Sequence, residues 1–213
     1  MAVKAEFLIR DAAQLQALFG ETHAIAVQKC LDHLDPHAQE FVARAPFLCI
    51  GTQSAEGLAD VSPRGDPRGF VKVLDARTLL IPDRPGNNRL DTQKNILANP
   101  AVGLLFMVPG FDDTLRVNGR AQISCDPELL EPLRVNDRLP RVAIVVEVQE
   151  VFLHCAKAFR RSKLWDPAER QDRREMGSLL QIILEQTTGA PKDPAEMAQI
   201  DAGLEEAYRT SMY

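Results

Sequence analysis

The segment of residues 59–100 constrains the fold more than any other part of the sequence. A short strand-like run at its start leads into two Arg-Gly pairs, 64–65 and 68–69, which are typical of turns. The apolar run 78–81 follows and predicts a further strand. A loop and one helix come next, and we expect the helix to end before Pro100 because a proline disfavours the helical conformation of the residue before it. The segment therefore predicts short strands around a single conspicuous helix.

Strand patterns continue on both sides of this segment. Besides 78–81, runs rich in β-branched and apolar residues predict strands at 47–53, 58–62, 101–108, 114–124 and 141–153. Too few helices separate these strands for alternating βαβ units. The pattern therefore favours a mainly β fold with flanking helices, of the α+β class, built on a small barrel.

Individual strands carry more detailed expectations. We expect Pro63 to end the regular pairing of the strand 58–62, because proline has no N–H to donate. The run 101–108 is continuously apolar, which is typical of a strand that is buried on both faces. Strict alternation in 114–124 places Leu115 and Val117 on one face, with Thr114, Arg116 and Asn118 on the other.

Helical patterns flank the strands. A capping box at Asp11 begins a first helix, a second helix is expected to run from about residue 22 to Leu34, and Asp35-Pro36 begins a third. After Trp165 the sequence predicts a charged helix at 166–176, an apolar helix at 179–184 and an amphipathic helix at 194–209. We divide the chain into an N-terminal helical segment (1–45) that packs on the barrel, the barrel domain (46–165), and a C-terminal helical extension (166–213) that packs over the site or on a partner subunit.

Composition excludes several classes of function. The net charge of −5 and the pI of about 5.4 argue against nucleic-acid binding. No apolar run approaches the ~20 residues that span a membrane, and the N-terminus lacks a signal-peptide core, so we expect a cytoplasmic protein. The four cysteines form no CxxC pair, and Pro36 separates His33 from His37. We therefore predict reduced thiols and no metal site.

A predicted helix start carries a first candidate ligand site. The helix opens at Asn87 or Asn88, and Arg89 follows. A helix N-terminus with an adjacent arginine is a favourable site for an anion such as phosphate. The alternative interpretation is structural: Asn88 is a plain N-cap whose capping box is completed by Asp91, and Arg89 is a solvated helix charge.

The end of the strand 58–62 supplies a second candidate. Ser62, Pro63, Arg64 and Gly65 would leave backbone N–H groups free and would let the chain approach a flat ligand closely. The alternative is an ordinary polar turn. We expect Asp66, which follows directly, to pair with an arginine.

The third candidate is the basic segment 154–165, which contains His154 and the only tryptophan of the chain, Trp165. His154 is a candidate acid or base, because the unperturbed pKa of histidine lies near neutrality. The alternative is a basic helix with Trp165 as a packing anchor and a structural His154.

Three motifs in this order carry a resemblance to a known family. They are SPRGD at 62–66, NNRLDTxxN at 87–95 and RSxLW at 161–165. The chain resembles, from about residue 11 to beyond Trp165, the pyridoxamine 5′-phosphate oxidase-like flavoproteins, in the branch that shares these motifs. The resemblance implies the FMN-binding split β-barrel fold, FMN as cofactor, and a homodimer with the flavin at the subunit interface.

The resemblance also implies roles for individual residues. The phosphate would be held by Asn88, Arg89, Arg161 and Ser162, and the ring edge by Ser62, Pro63, Arg64 and Gly65. Strand residues that contact the flavin would be Thr114 and Arg116. Residues that reach the flavin from the same chain or from its partner would be Lys157, Arg161, Ser162 and Trp165.

The implied activity is that of an FMN-dependent oxidoreductase on a small organic substrate, with NADH or NADPH as a candidate electron donor. Two departures limit the analogy. Leu90-Asp91-Thr92 stands where better-known members have Ser-Arg-Lys, and the substrate motif of the pyridoxal-phosphate reaction, an Arg-Leu-His-Asp-Arg-like ending, is absent from the sequence. The alternatives are a non-catalytic flavin carrier or sensor, or a split barrel that uses deazaflavin or haem.

Overall fold

One antiparallel sheet forms the centre of the molecule in a computed structural model that describes residues 3–213. Residues 1 and 2 of the predicted N-terminal segment lie outside the described residues. The strands are β1 (Phe47–Gln53), β2 (Ala59–Gly65), β3 (Lys72–Asp75), β4 (Thr78–Pro82), β5 (Ala101–Met107), β6 (Thr114–Ser124) and β7 (Ala143–His154). Their order in the sheet is β2-β1-β5-β6-β7-β4-β3, with antiparallel pairing between neighbours.

The helices lie before, between and after the strands. They are α1 (Ala12–Ala17), α2 (Ala24–Gln28), α3 (Pro36–Arg44), α4 (Asp91–Ala98), α5 (Pro127–Leu130), α6 (Lys157–Ser162), α7 (Leu179–Gln186) and α8 (Pro194–Ser211). This arrangement confirms the predicted mainly β class with flanking helices and the split-barrel architecture. No helix among residues 3–213 is both long enough and apolar enough to cross a membrane.

The core lies on the inner face of the sheet. Large side chains such as Leu48, Leu104, Phe106 and Ile144 are at most 1% exposed. Removing a buried ring such as that of Phe106 would cost about 3–5 kcal/mol, because lost transfer energy and a cavity add together. The sheet is thus a rigid base for the loops at its edges.

The prediction for the second strand was wrong in its end point. β2 continues through Pro63 to Gly65, and Pro63 lies opposite Cys49 of β1. β2 is an edge strand with a single neighbour, so a proline nitrogen that faces away from β1 removes no ladder hydrogen bond. The pair 64–65 is therefore strand, whereas the predicted turn at 68–69 is confirmed and places Gly69 at φ +82°.

Among the other strands, β1 and β6 were predicted correctly, β5 was predicted with the wrong burial, and β3 was not predicted. β1 and β6 have the predicted bounds, and on β6 Leu115 and Val117 are buried while Arg116 is exposed. β5 is fully buried on one face only, because one face of an antiparallel sheet takes the core and the other is partly covered. The short strand β3 was missed, since four residues with a lysine and an aspartate at the ends give a weak pattern.

The N-terminal helices are only partly as expected. The Asp11 cap is confirmed, with its Oδ1 accepting a hydrogen bond from the Gln14 backbone N–H at 2.8 Å. The predicted continuous second helix is wrong: α2 ends at Gln28, and Leu31 instead forms a β-bridge with Val151. Within the described chain α1 and α2 bury no side chain, whereas α3 packs on the sheet.

The C-terminal region holds two of the three predicted helices. α7 and α8 form close to the expected positions, but 166–176 contains only the 3₁₀ turns Pro167–Glu169 and Arg173–Glu175. Each turn is capped by an aspartate side chain, and the segment has no apolar face that burial could stabilise as a helix. The division of the chain at residues 45 and 165 stays a prediction.

Candidate functional site

A cleft of about 640 Å³ opens at one edge of the barrel. Its walls come from β2, the β4–α4 loop (83–90), the loop before β7 (138–141) and the end of α8. These four parts are far apart in sequence and meet only in the folded chain.

β2 forms one wall. Its inward residues Asp60, Ser62 and Arg64 are half-buried, and they alternate with the exposed Val61 and Pro63. Both sets of side chains line the cleft because β2 is an edge strand. The wall therefore offers polar groups, a cation and apolar surface within one strand.

Arg64 is the most unusual side chain of this wall. Its side chain is 18% exposed, and its Nη1 lies 3.3 Å from Asp83 Oδ1. Its Nε is buried and has no hydrogen-bond partner among residues 3–213. A buried N–H of a charged group without an acceptor is costly, so this atom marks a place where an anionic ligand would complete the structure.

Asp83 belongs to the same polar group. It accepts a hydrogen bond from Gln93 Nε2 at 2.6 Å in addition to its contact with Arg64. Burial raises the pKa of the Asp83 carboxyl, and the nearby Arg64 charge and the Gln93 hydrogen bond partly offset this rise. The carboxylate competes with any bound anion for Arg64.

The start of α4 forms the second wall. Asn88 and Leu90 have left-handed backbone conformations, with φ of 58° and 59°. For leucine this conformation is strained by about 1–2 kcal/mol, and such strain is typical of functional loops. Within the described residues no side chain caps α4, so its first N–H groups lack a side-chain partner.

The predicted helix start at Asn87 or Asn88 is therefore wrong, and so is the alternative interpretation of Asn88 as a plain N-cap. α4 begins three residues later, at Asp91, because the loop turns through two left-handed residues first. Asp91 does not complete a capping box; its carboxylate accepts from Arg89 Nε at 2.7 Å. Asn88 and Arg89 nevertheless both line the cleft beside the open helix N-terminus, and Arg89 is 73% exposed.

Arg84 lines the cleft and pairs with the buried Asp66 behind β2's end. Their side chains are 17% and 1% exposed, and Arg84 Nε lies 2.6 Å from Asp66 Oδ2. Arg84 also donates to the carbonyl of Leu133 at 2.9 Å. The predicted pairing of Asp66 with an arginine is thus confirmed, and it ties β2 to the β4–α4 loop.

The loop before β7 and the chain's last residues complete the walls. Arg138 and Arg141 line the cleft, and within the described part of the chain neither forms an ion pair with an aspartate or glutamate side chain. Tyr213 donates a hydrogen bond to Asp66 Oδ1, which raises the pKa of the tyrosine hydroxyl.

The remaining residues predicted from β2 and β6 lie outside the cleft. Gly65 ends β2, with Phe47 and Pro46 as its nearest neighbours. Thr114 is buried at the start of β6. Arg116 is exposed on the sheet face, and its guanidinium stacks over Phe152 at 5.5 Å from the ring centroid.

The basic segment also lies elsewhere in a single chain. Lys157, Arg161 and Ser162 belong to the exposed helix α6, and none of them lines the cleft. Trp165 donates from Nε1 to the carbonyl of Phe111 at 2.7 Å. This contact agrees with the interpretation of Trp165 as a packing anchor. His154 is exposed at the end of β7.

Sequence reasoning missed several cleft residues, among them Asp83, Arg84, Gln93, Arg138, Arg141 and Tyr213. Asp83 and Arg84 could have been found from their position, because they follow a predicted strand and begin the loop that leads into a helix. Ligands often bind in such loops. Arg138, Arg141 and Tyr213 reach the cleft only through the fold and carry no local pattern.

The geometry fits a ligand with a phosphate and a flat ring. Arg64, Arg89 and the open N-terminus of α4 suit a phosphate, and Arg64 offers an unpaired buried N–H. Apolar surface for a ring comes from Val61, Leu139 and Pro140. The residues present therefore fit a flavin mononucleotide.

The fold defines the chain as a split-barrel protein with a cationic cleft at one edge. The family comparison makes this specific: the family model for pyridoxamine 5′-phosphate oxidase matches residues 34–155, more than half of the chain. The chain belongs to this family. A search of the curated proteins found no match.

Solved structures are similar over 55–62% of the chain. HupZ from Group A Streptococcus is 15% identical, with 56% of this chain and 92% of that chain covered and a TM-score of 0.47. A Clostridium acetobutylicum protein of the pyridoxinephosphate oxidase family, related to general stress protein 26, is 13% identical (55% and 85% covered, TM-score 0.41). An FMN-binding protein from Syntrophomonas wolfei is 9% identical (62% and 91% covered, TM-score 0.42).

Proposed function

We propose that the cleft binds FMN and that the protein is a homodimeric, FMN-dependent oxidoreductase acting on a small organic substrate. The observation that carries the proposal is the buried, unpaired Nε of Arg64 beside the uncapped N-terminus of α4. Family membership supports the cofactor class.

The phosphate would be held by Arg64, Arg89 and the first N–H groups of α4. Arg64 is positioned by β2 and by Asp83, so it loses little side-chain freedom when an anion binds. Arg89 is exposed and paired with Asp91, so its side chain would have to turn away from Asp91 before it could bind the phosphate. The helix N-terminus adds a favourable dipole for negative charge.

The chain's own residues would position the ring and control its surroundings. Val61, Leu139 and Pro140 provide an apolar wall, while Ser62 and Gln93 place a hydroxyl and an amide at the same cleft. Bound FMN supplies the hydride chemistry.

Exposed apolar surface supports the dimer part of the proposal. In one chain Phe7, Phe19, Ile25 and Leu164 are between 55% and 75% exposed. A second copy that packs on these side chains would remove their apolar surface from water. The same copy would bring a partner's basic segment to the flavin, as the family resemblance implies.

Thermal melts test the cofactor. FMN at ~100 times its dissociation constant should stabilise the stripped protein by about 2.7 kcal/mol. Riboflavin is the matched control, because it has the ring and lacks the phosphate, and we expect it to stabilise the protein far less. Coincident melts with and without saturating FMN would contradict the proposal.

Reduction distinguishes the enzyme from a flavin carrier. If the bound flavin is bleached by NADH or NADPH and recovers its colour with an organic acceptor, the oxidoreductase proposal is supported. A flavin that neither donor reduces, while dithionite does, would favour the carrier.

A further inference from the structure

The C-terminal end of α8 lies against the cleft. Thr210, Ser211 and Tyr213 line it together with β2 and the β4–α4 loop. These residues lie outside the part of the chain, 34–155, that matches the family model. The cleft is therefore completed by a segment that the family-matched region does not supply.

Tyr213 is the residue that fastens this segment. Its hydroxyl donates to Asp66 Oδ1 at 2.5 Å, and its ring lies under the Arg84 guanidinium, 5.7 Å from ring centroid to guanidinium carbon. Arg138 Nη1 donates to the main-chain oxygen of Tyr213. Three separate parts of the chain thus hold one side chain and its backbone.

The neighbouring hydroxyls do not fasten the segment. Thr210 Oγ1 donates to the carbonyl of Glu206 at 2.9 Å, and Ser211 Oγ donates to that of Ala207 at 2.6 Å. Both bonds stay within α8. Among the described residues of α8 only Met197, near its beginning, is buried. The end of the helix is therefore held by polar contacts of Tyr213 and not by apolar burial.

We propose that Tyr213 is a latch that holds the end of α8 over the cleft, and that a ligand enters or leaves only when this latch opens. The latch regulates the site assigned above, so the identity of the ligand rests on the proposed function. Opening breaks the hydrogen bond to Asp66, the stacking on Arg84 and the hydrogen bond from Arg138, while the Asp66–Arg84 pair stays in place to receive the tyrosine again.

Flavin exchange kinetics test the latch. Tyr213→Phe removes the hydroxyl and keeps the ring, and Tyr208→Phe is the matched control, because Tyr208 lies on the same helix and is 47% exposed. We expect Tyr213→Phe to raise the association and dissociation rates of FMN together, by roughly tenfold, since a hydrogen bond to a charged group is lost. Tyr208→Phe should leave both rates unchanged.

Two kinetic outcomes would overturn the latch. Equal exchange rates in the wild type and Tyr213→Phe would show that the segment does not gate the cleft. A faster dissociation with an unchanged association rate would show that Tyr213 contacts the ligand directly.

Hydrogen exchange tests the latch without any flavin. Amides at the end of α8 should exchange roughly tenfold faster in Tyr213→Phe than in the wild type or Tyr208→Phe, because the latched state is less populated. Equal exchange in all three proteins would reject the latch. If the wild type binds no FMN, the proposed function fails, and this exchange measurement still decides for or against the latch.

Discussion

Two arginine-containing regions of the molecule differ in how they hold their charges. In the cleft, the side chains of Arg64 and Arg84 are only 17–18% exposed, and each pairs with an aspartate from a distant part of the chain. In the basic segment 154–165, Arg160 is 74% exposed and pairs with Asp112, and Arg161 is exposed. Arg64 and Arg84 are desolvated and fixed, whereas the arginines of the basic segment are solvated.

This difference indicates which region is built for a ligand within one chain. A buried guanidinium is costly unless all of its N–H groups find acceptors, and Arg64 keeps one that has none in the described part of the chain. Exposed arginines carry no such cost, so the basic segment is stable without a ligand. Its proposed role at the flavin requires a second copy, because the segment does not line the cleft of its own chain.

The largest expected effect is on stability, from Arg84→Ala. The substitution leaves Asp66 buried beside only Tyr213 and removes the donor to Leu133, so we expect a loss of about 3 kcal/mol, as for other broken buried pairs. Urea unfolding measures it. Arg160→Ala is the control, and its midpoint should stay near that of the wild type. Equal unfolding midpoints for Arg84→Ala and Arg160→Ala would contradict the claim that a buried cleft arginine is more costly to remove than an exposed arginine of the basic segment.

The next effect is on flavin affinity. Arg64→Ala should weaken FMN binding by roughly 10- to 100-fold, because a charge-assisted hydrogen bond to phosphate is lost. Fluorescence titration measures the dissociation constant, and Arg160→Ala again serves as the control. A folded Arg64→Ala protein with wild-type affinity and an unchanged flavin potential would remove Arg64 from the site.

Subunit mixing brings the two regions together. Arg64→Ala and Trp165→Ala subunits should each bind flavin poorly, and their heterodimers should regain an intact site if one flavin is held by the cleft of one chain and the basic segment of the other. Flavin content after mixing measures this. When all contacts come from one chain, mixing restores nothing, and a monomer with full flavin occupancy would exclude a shared site.

The smallest effect is on the pH dependence of stability. The pKa of Asp83 is raised in the folded protein, so its carboxyl binds a proton more tightly there than in the unfolded chain. The stability that the protonated carboxyl contributes is therefore fully present below the pKa of Asp83 in the unfolded chain. It is lost as the pH rises through the pKa of Asp83 in the folded protein. Asp83→Asn should flatten the stability curve between neutral pH and about pH 4, the region of an ordinary aspartate pKa. An unchanged slope in urea melts across this range would contradict the assignment.

The sequence predicted the sheet better than the cleft. β1 and β6 were predicted to the residue, because their apolar periodicity is a local property that the fold preserves. β2 was cut short at Pro63, since a sequence alone does not tell an edge strand from a central one. The continuous second helix failed where Leu31 pairs with Val151, a contact between residues far apart in the chain.

The cleft was predicted in part. Ser62, Pro63, Arg64, Asn88 and Arg89 belong to motifs and do line it. Asp83 and Tyr213 were not predicted, because their function depends on packing: burial sets the pKa of Asp83, and the folding of α8 brings Tyr213 to Asp66. Local patterns identify chemistry, and long-range contacts decide which of those residues meet.

The central claim is that the cationic cleft holds FMN through Arg64. The most direct test is to denature the purified wild type and the Arg64→Ala and Arg160→Ala variants and to identify the released ligand by mass. We predict FMN in amounts equimolar with the chain from the wild type and from Arg160→Ala, and little or none from a folded Arg64→Ala. A ligand other than FMN, or full FMN in Arg64→Ala, would contradict the account.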